Sequence, residues 1–468
     1  MKYLSTRGGE SEVSFTSVLL NGLAKDGGLY IPKSLPKFTS EDLKQLSHMS
    51  YPELCYEVTK GFMSESDIPS EKYKKICFDT YDNKFGKNII DIDKLSEYEN
   101  ILNLYHGPTL AFKDFALQLL GNIYDYILKK KRIELTILGA TSGDTGSAAI
   151  YGCSRSNNIK TFILFPHKKV SEIQRKQMTT FKNKNVFCIA INGDFDDCQK
   201  LVKDFFNFEG KKINLAAVNS INWVRIMGQL VYYFWSYFKV EKNLKRINYV
   251  VPTGNFGNVY AGYICKKMGL PINKLVVSSN KNDILTRFFE TGAMQLKETV
   301  KTVSPSMDIQ VSSNFERLLY DYTKNTVLIK NLYRDLGKKG FFSVDNKLLD
   351  LMKDTFSYGR LSDKETLISI KKVFKKSGII IDPHTAVGYS IGQTVLDKSE
   401  KRIYLATAHY SKFIDTVRDV VKDKALLPPK ISSIINEKEE FDLLENNLQE
   451  LMQYVAEKSC TPRKVQEF

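Results

Sequence analysis

At 468 residues the chain is too long for one ordinary core, so two or three domains are expected. Its 43% hydrophobic and 26% charged residues are those of a soluble globular protein, and no apolar run approaches the roughly 18 residues of a membrane span. A net charge of +15 raises nucleic acid as a partner, but the 68 basic residues are interspersed with 53 acids and form no stripe interleaved with aromatics.

The N-terminus has no apolar core of a signal peptide and carries an early acid, Glu10, which points to the cytoplasm. Helical spacing follows in Glu12 to Leu23, Ser40 to Leu46, Tyr51 to Met63 and Ser70 to Phe78, with the turn Asp26-Gly-Gly-Leu-Tyr-Ile-Pro32 between the first two. A helix is predicted from Lys113 to Tyr124, and the basic cluster Lys129 to Arg132 falls where it should end, where cations meet the helix dipole favourably. Strand and helix then alternate: strand 135–138, a Gly/Ser/Thr loop and helix 147–153; strand 161–165 and a helix from Ser171; strand 186–191 and helix 195–206 capped by Asp194; strand 215–218 and helix 223–238. A second set comprises strand 249–251, a glycine loop, helix 259–268 and strand 275–278, with further strands at 378–381 and 403–406.

Such alternation calls for parallel sheets with helices on both faces. The expected division is a helical N-terminal portion (1–95), a larger α/β domain (96–134 and 236–435), a smaller α/β domain (135–235) and a C-terminal helix with a tail (436–468). Seven cysteines are scattered, odd in number and never spaced as CxxC, and five histidines form no ligand pairs. Neither a disulfide framework nor a metal site is expected.

Five segments carry chemistry. His106-Gly-Pro-Thr-Leu-Ala-Phe-Lys113-Asp-Phe115 sets one lysine at a helix start, after an aromatic residue. A lysine that forms a Schiff base needs a fixed approach to a flat aldehyde cofactor and a partly desolvated ammonium, and this setting offers both. Gly139-Ala-Thr-Ser-Gly-Asp-Thr-Gly146 is a strand-to-helix loop whose Thr141, Ser142 and Thr145 hydroxyls either hold a carboxylate or simply cap a helix. Asn219-Ser-Ile-Asn-Trp-Val-Arg225 gathers two asparagines, a serine and an arginine; Arg225 has the fork geometry for a phosphate, or sits in a solvated ion pair. In Pro252-Thr-Gly-Asn-Phe-Gly-Asn258, Gly254 and Gly257 let backbone N–H groups approach a phosphate at a helix start. No Gly-Lys-Ser/Thr follows, which disfavours ATP. Leu405-Ala-Thr407-Ala-His409 ends a strand on a neutral hydroxyl, suited to a pyridine nitrogen that stays unprotonated.

In this order the segments resemble the threonine synthase family, within the fold-type II (tryptophan synthase β-like) pyridoxal phosphate enzymes. The likeness extends to Tyr3-Leu-Ser-Thr-Arg-Gly8, Asp26 to Pro32 and Lys169-Val-Ser-Glu-Ile-Gln174, covers nearly the whole chain, and is to the longer form found in many bacteria and fungi. The resemblance implies that Lys113 holds pyridoxal 5'-phosphate as a Schiff base and shuttles protons. It implies that Gly254, Asn255, Phe256, Gly257 and Asn258 cradle the cofactor phosphate and that Thr407 faces the pyridine nitrogen. The loop containing Thr141, Ser142, Asp144 and Thr145 would take the substrate carboxylate, and Asn219, Ser220, Asn222 and Arg225 the substrate phosphate. Tyr410 departs from the pattern, standing where the family usually has proline.

The implied reaction is a lyase step of threonine biosynthesis, turning O-phospho-L-homoserine and water into L-threonine and phosphate by β,γ-elimination and β-hydration. A phospholyase on the same scaffold would instead release phosphate, ammonia and a 2-oxo acid, and a non-catalytic relative would keep only the fold. No nucleic acid, membrane, metal or partner protein is implied.

Overall fold

The computed structural model describes every residue except 82–84, 86–87, 209–213, 217–219 and 461–468. It divides the chain into two compact units: residues 1–120 with 220–428, and residues 121–219 with 429–468.

The larger unit opens on a small antiparallel sheet in which β1 (Lys2–Ser5) lies between β2 (Val13–Ser14) and β3 (Tyr30–Pro32). Tyr3 and Tyr30 are fully buried there. The helices Ser40–Leu46, Tyr51–Thr59 and Ser70–Thr80 follow, the first two opened by capping boxes of Thr39 with Asp42 and Ser50 with Glu53.

The main sheet of this unit is built from β4 (Asp91–Lys94), β5 (Glu99–Asn103), β10 (Ile247–Pro252), β11 (Ile272–Ser279), β14 (Phe356–Arg360) and β15 (Arg402–Ala406), in the order β14-β11-β10-β15-β5-β4. All neighbours run parallel except β4, which pairs antiparallel with β5 at the edge. Every residue of β5, β10 and β15 is buried, as expected of parallel strands covered on both faces. The helix Trp223–Val240 is apolar around almost its whole circumference and packs against the helix Gly257–Met268. A two-stranded ribbon, β12 (Ala293–Gln295) with β13 (Phe341–Ser343), is antiparallel.

The smaller unit holds a wholly parallel sheet of β6 (Leu135–Ala140), β7 (Ile159–Pro166), β8 (Val186–Asn192), β9 (Leu215–Ala216) and β16 (Asp442–Glu445), in the order β16-β8-β7-β6-β9. Its core joins Leu138, Phe162, Leu164, Ile189 and Ile191 of the sheet to Leu201 and Phe205 of the helix Phe195–Asn207. The architecture is thus the α/β, parallel-sheet class that the alternating pattern predicts.

Several details differ from the sequence reading, among them the strands β1 to β4 in the portion read as helical and the placing of residues 220–235 with the larger unit and 429–468 with the smaller one. Residues 378–381 are not a strand: Gly378, at φ 73°, caps the helix Asp363–Ser377, and Asp382 already caps the helix Pro383–Val395. The strand at that sheet edge is β14, whose Tyr358-Gly359-Arg360 breaks the apolar pattern. The stretch 436–468, read as helix and tail, also contributes β16 ahead of the helix Leu448–Cys460. Residues 217 and 218 of the strand expected at 215–218 lie outside the described residues.

Candidate active site

In the main sheet, the chain crosses outward from β10 to β11 to β14 and then returns to insert β15 on the other side of β10. The strand order therefore reverses between β10 and β15. At such a point the loops leaving the carboxyl ends of two parallel strands diverge and open a crevice. Gly254 follows the carboxyl end of β10, Thr407 that of β15, and the segment leading to Lys113 that of the next strand, β5. Three segments singled out for chemistry are thus gathered by topology alone.

Backbone pairing brings two of them into contact. Leu104 N–H donates to the Ala406 carbonyl at 3.0 Å, Ala111 forms an antiparallel bridge with Ala408, and Phe112 N–H donates to the Thr407 carbonyl at 2.9 Å. His409 N–H closes the ladder on the Leu110 carbonyl at 3.0 Å. Lys113 is half-buried and opens the helix Lys113–Lys131 directly after this bridge. The segment before it is pinned from within. Asp114, fully buried, accepts from the Thr109 N–H (2.8 Å) and hydroxyl (2.9 Å), and the buried Lys412 ammonium donates to the Thr109 carbonyl at 2.7 Å. Hydrogen bonds to ionised groups are the stronger kind, so the backbone carrying Lys113 is held firmly against the strand end carrying Thr407. A rigid ring bound through an aldehyde carbon at one end, with a ring nitrogen opposite it, needs such a fixed spacing. Thr407 itself is 7% exposed.

The Gly254 loop joins β10 to the helix Gly257–Met268. A Cβ on Gly254 would stand 2.8 Å from the Ser306 carbonyl oxygen, so only glycine fits without moving backbone. Phe256, at the N-cap, takes φ 62° in the left-handed region, which costs a non-glycine residue about 1–2 kcal/mol. Its ring is buried edge-on to Phe315 at 5.2 Å, and that packing offsets the strain. The first N–H groups of the helix have no intrahelical acceptors and are open to an anion at this turn. Asn258 has its amide orientation fixed: the Tyr232 and Tyr233 hydroxyls donate to its Oδ1 at 2.7 and 2.9 Å. Its buried Nδ2 is left with no protein partner.

Arg225 lies in the first turn of the helix Trp223–Val240, whose Gln229 and Ile226 side chains reach towards Gly257. It is 5% exposed, burial pulls its guanidinium down to about 10, and its Nε and Nη1 have no hydrogen-bond partner in the protein. A buried, unpaired cation is costly unless an anion arrives. Ser220 exchanges a hydrogen bond with Ser313 at 3.2 Å, and its carbonyl accepts from Asn314 Nδ2 at 3.0 Å. Asn222 works for the fold: its Oδ1 caps the helix through Val224 N–H at 3.1 Å and its Nδ2 donates to the Leu19 carbonyl at 3.0 Å. Asn219 lies outside the described residues.

In the smaller unit, the loop after β6 is shaped by its own side chains. Thr141 Oγ1 accepts from Gly143 and Gly146 N–H at 3.0 and 2.9 Å, and the Asp144 carboxylate accepts from Gln174 Nε2 at 2.9 Å. Gln174 belongs to the Lys169–Gln174 motif, which thereby acquires a structural role. Thr145 is half-buried, and Ser142 is exposed at the loop tip, its hydroxyl the freest to meet a ligand. Sequence reasoning missed Thr109, Lys412, Asn314 and the buried Arg317, whose guanidinium donates to Asn314 Oδ1. Thr109 lies within the lysine motif, and only geometry shows its use; the others carry no local signal.

Pyridoxal phosphate fits these residues: a lysine and a hydroxyl on paired backbones, a glycine cradle that a Cβ would fill, and donors without acceptors beside it. The comparisons with known proteins agree. The family described as Threonine synthase N terminus matches residues 2–81, Pyridoxal-phosphate dependent enzyme matches 101–402, and Threonine synthase, C-terminal matches 385–455. A threonine synthase of Pseudomonas aeruginosa is 42% identical over 98% of both chains. A pyridoxal-phosphate-bound threonine synthase structure from Brucella melitensis superposes with a TM-score of 0.95 at 40% identity, covering 98% of this chain and all of that one. The yeast threonine synthase structure gives 0.93 at 36% identity over 98% of both. The chain belongs to the threonine synthase family of pyridoxal-phosphate-dependent enzymes.

Proposed function

We propose that this chain converts O-phospho-L-homoserine and water to L-threonine and phosphate, with Lys113 as its catalytic residue. The observation that carries the reading is the backbone pairing of residues 110–112 with 407–409, which sets Lys113 and Thr407 beside each other at a strand-order reversal flanked by the Gly254 loop.

Pyridoxal phosphate supplies an electron sink for the pair left when a proton leaves the substrate α-carbon. The protein does the rest. Lys113 Nζ would hold the cofactor through its aldehyde carbon, and its free amine would take the substrate's α-proton and move the β-proton whose loss lets phosphate leave the γ-carbon. Gly254 to Asn258 would offer N–H groups to the cofactor phosphate, and the Thr407 hydroxyl would meet the pyridine nitrogen. Arg225 and Ser220 hold the substrate phosphate; a buried guanidinium with two idle donors is suited to the charge that grows on the leaving group. Asn219 is proposed for the same subsite, and Asn222 serves it from behind by capping the helix that carries Arg225. The loop Thr141 to Thr145 receives the substrate carboxylate, with Ser142 and Thr145 in contact and Thr141 and Asp144 shaping the turn.

Among the described residues no helix is long and apolar enough to cross a membrane, and six cysteines are buried thiols. A reducing compartment suits them, and we place the reaction in the cytoplasm. The partner is the small-molecule substrate, with no nucleic acid.

Purified protein given O-phospho-L-homoserine should release threonine and phosphate in equal amounts. Lys113→Ala should lose the visible absorption of the bound cofactor and at least about 10³-fold in turnover, as when a nucleophile or base is removed. Ammonia and 2-oxobutyrate in place of threonine would reject the hydration step and leave a phospholyase.

A further inference from the structure

Two sequence motifs, Tyr3 to Gly8 and Asp26 to Pro32, lie in the N-terminal portion and have no part in the chemistry above. Their side chains and backbone converge on one short stretch, Ser312 to Arg317. Thr6 Oγ1 donates to Glu316 Oε1 at 2.5 Å, and Arg7 forks onto the same carboxylate at 3.0 and 2.7 Å. The next residue, Arg317, is fully buried and lies over the Trp223 ring at 5.8 Å. Its Nε donates to the Tyr30 carbonyl at 2.9 Å, its Nη1 to Asn314 Oδ1 and its Nη2 to the Ile221 carbonyl.

Asn314 then reaches both phosphate segments. Its Nδ2 donates at 3.0 Å to the Asn255 carbonyl and at 3.0 Å to the Ser220 carbonyl, while its backbone N–H also donates to Asn255 at 3.1 Å. Ser312 Oγ donates to the Gly254 carbonyl at 2.7 Å, and Ser313 Oγ meets both Asn255 Oδ1 and Ser220 Oγ. Each of these acceptors is a backbone oxygen or side chain of the Gly254–Asn258 loop or of the Ser220–Arg225 segment. Because Arg317 occupies Asn314 Oδ1, the amide can present only its NH2 end to the two carbonyls.

We infer that Asn314 and Arg317 are positioning residues that lock the cofactor-phosphate loop and the substrate-phosphate segment in register, and that the N-terminal motifs anchor this clamp through Arg7 and Tyr30. The inference rests on the reading of Gly254–Asn258 as the cofactor-phosphate loop. A peptide carbonyl turned inward by such a donor turns its own N–H outward, so one amide sets the aim of both anion sites. Loss of the clamp therefore loosens phosphate groups without touching Lys113.

The test is Asn314→Asp, which keeps the shape and the oxygen for Arg317 but puts an acceptor against two carbonyls. Arg317→Lys, which keeps the charge and loses the fork, serves if that variant does not fold. In the holoenzyme the phosphorus-31 resonance of the cofactor phosphate should move. The dissociation constant for pyridoxal phosphate and the KM for O-phospho-L-homoserine should each rise about tenfold, corresponding to one hydrogen bond lost per site. The visible absorption maximum of the Lys113-bound cofactor should stay in place, and Arg7→Met should give a smaller change of the same kind. Gly254→Ala is the control for the loop itself. If it moves the resonance and Asn314→Asp does not, the clamp is overturned; if Gly254→Ala leaves the resonance in place, the loop assignment falls and the clamp with it. A lowered melting temperature with an unmoved resonance and unchanged KM would reduce Asn314 to a structural role and overturn the inference.

Discussion

His409 stands two residues beyond Thr407, hydrogen-bonded through Nδ1 to Ser411 and ringed by Tyr105 and Tyr410. Burial first, and then the positive charge of His106 and Lys412 against the partial offset of Asp382, pushes its imidazole down to about 4. The unfolded chain takes up this proton near pH 6.5, and the folded chain resists it until about pH 4. Stability from this group is therefore complete above pH 6.5 and is lost as pH falls through the window, by about 3 kcal/mol at its end. In denaturant titrations between pH 7 and pH 4.5, His409→Asn should lose less stability than the unmodified chain. Equal losses would mean that His409 is protonated in the fold. Thr109→Val makes a second residue-scale case: it removes one donor from the buried Asp114 carboxylate at almost no change in volume. The expected cost is about 1.5–3 kcal/mol, the range for a bond to a charged group, with turnover falling because the Lys113 segment loses its pin. At this scale the sequence names the reacting lysine and the glycine cradle, because their chemistry demands rare residue types at fixed spacing. It does not reveal that Asn222 spends both ends of its amide on capping the helix and holding Leu19, or that Asn314 joins two distant segments. Those uses depend on partners 203 and 94 positions away.

Where the sequence reading names an element of the parallel sheets, its bounds mostly fall within a few residues of the structure, since these strands are continuous apolar runs and the helices open on strong caps such as Asp194 with Asp197. Helix and strand periods fail where a short strand is made by pairing rather than by its own pattern, as in β14 with its Gly359 and in exposed β16. Glycine inside a helix is the other place where local propensity misleads. Gly121 falls in the helix Lys113–Lys131, and replacing it by alanine should by propensity alone stabilise the helix by about 1 kcal/mol. A Cβ there would run into the Gly152 carbonyl of the helix Asp144–Cys153, and backbone cannot yield as a side-chain tip does. The sign should reverse: Gly121→Ala is expected to destabilise by about 1–3 kcal/mol, the usual cost of overpacking. A thermal melt that rises instead would show that the two helices can separate freely.

At the scale of the whole chain, the smaller unit is discontinuous, and its stability depends on residues more than 200 positions beyond its other strands. β16 pairs in parallel with β8 over Asp442 to Glu445, and Leu444, Leu451 and Val455 complete the core around Phe162 and Ile189. Arg175 forks onto Glu439 at 2.8 and 2.9 Å, and Thr179 donates to the same carboxylate at 2.7 Å, so the returning segment is tied before its strand begins. Removing residues 436–468 would strip one side of β8, leaving unpaired N–H and C=O groups beside an opened apolar core. Three large side chains withdrawn from that core amount to roughly 5 kcal/mol or more, at about 1.5–3 kcal/mol each, which is comparable with the whole stability of a domain. The truncated chain should therefore bind a hydrophobic dye, show rapid amide exchange confined to residues 121–219, and self-associate through the exposed strand. The larger unit, which carries Lys113, Thr407 and the Gly254 loop on its own sheet, should retain slow exchange in β5, β10 and β15. Loss of protection in both units together would mean that they unfold as one cooperative body.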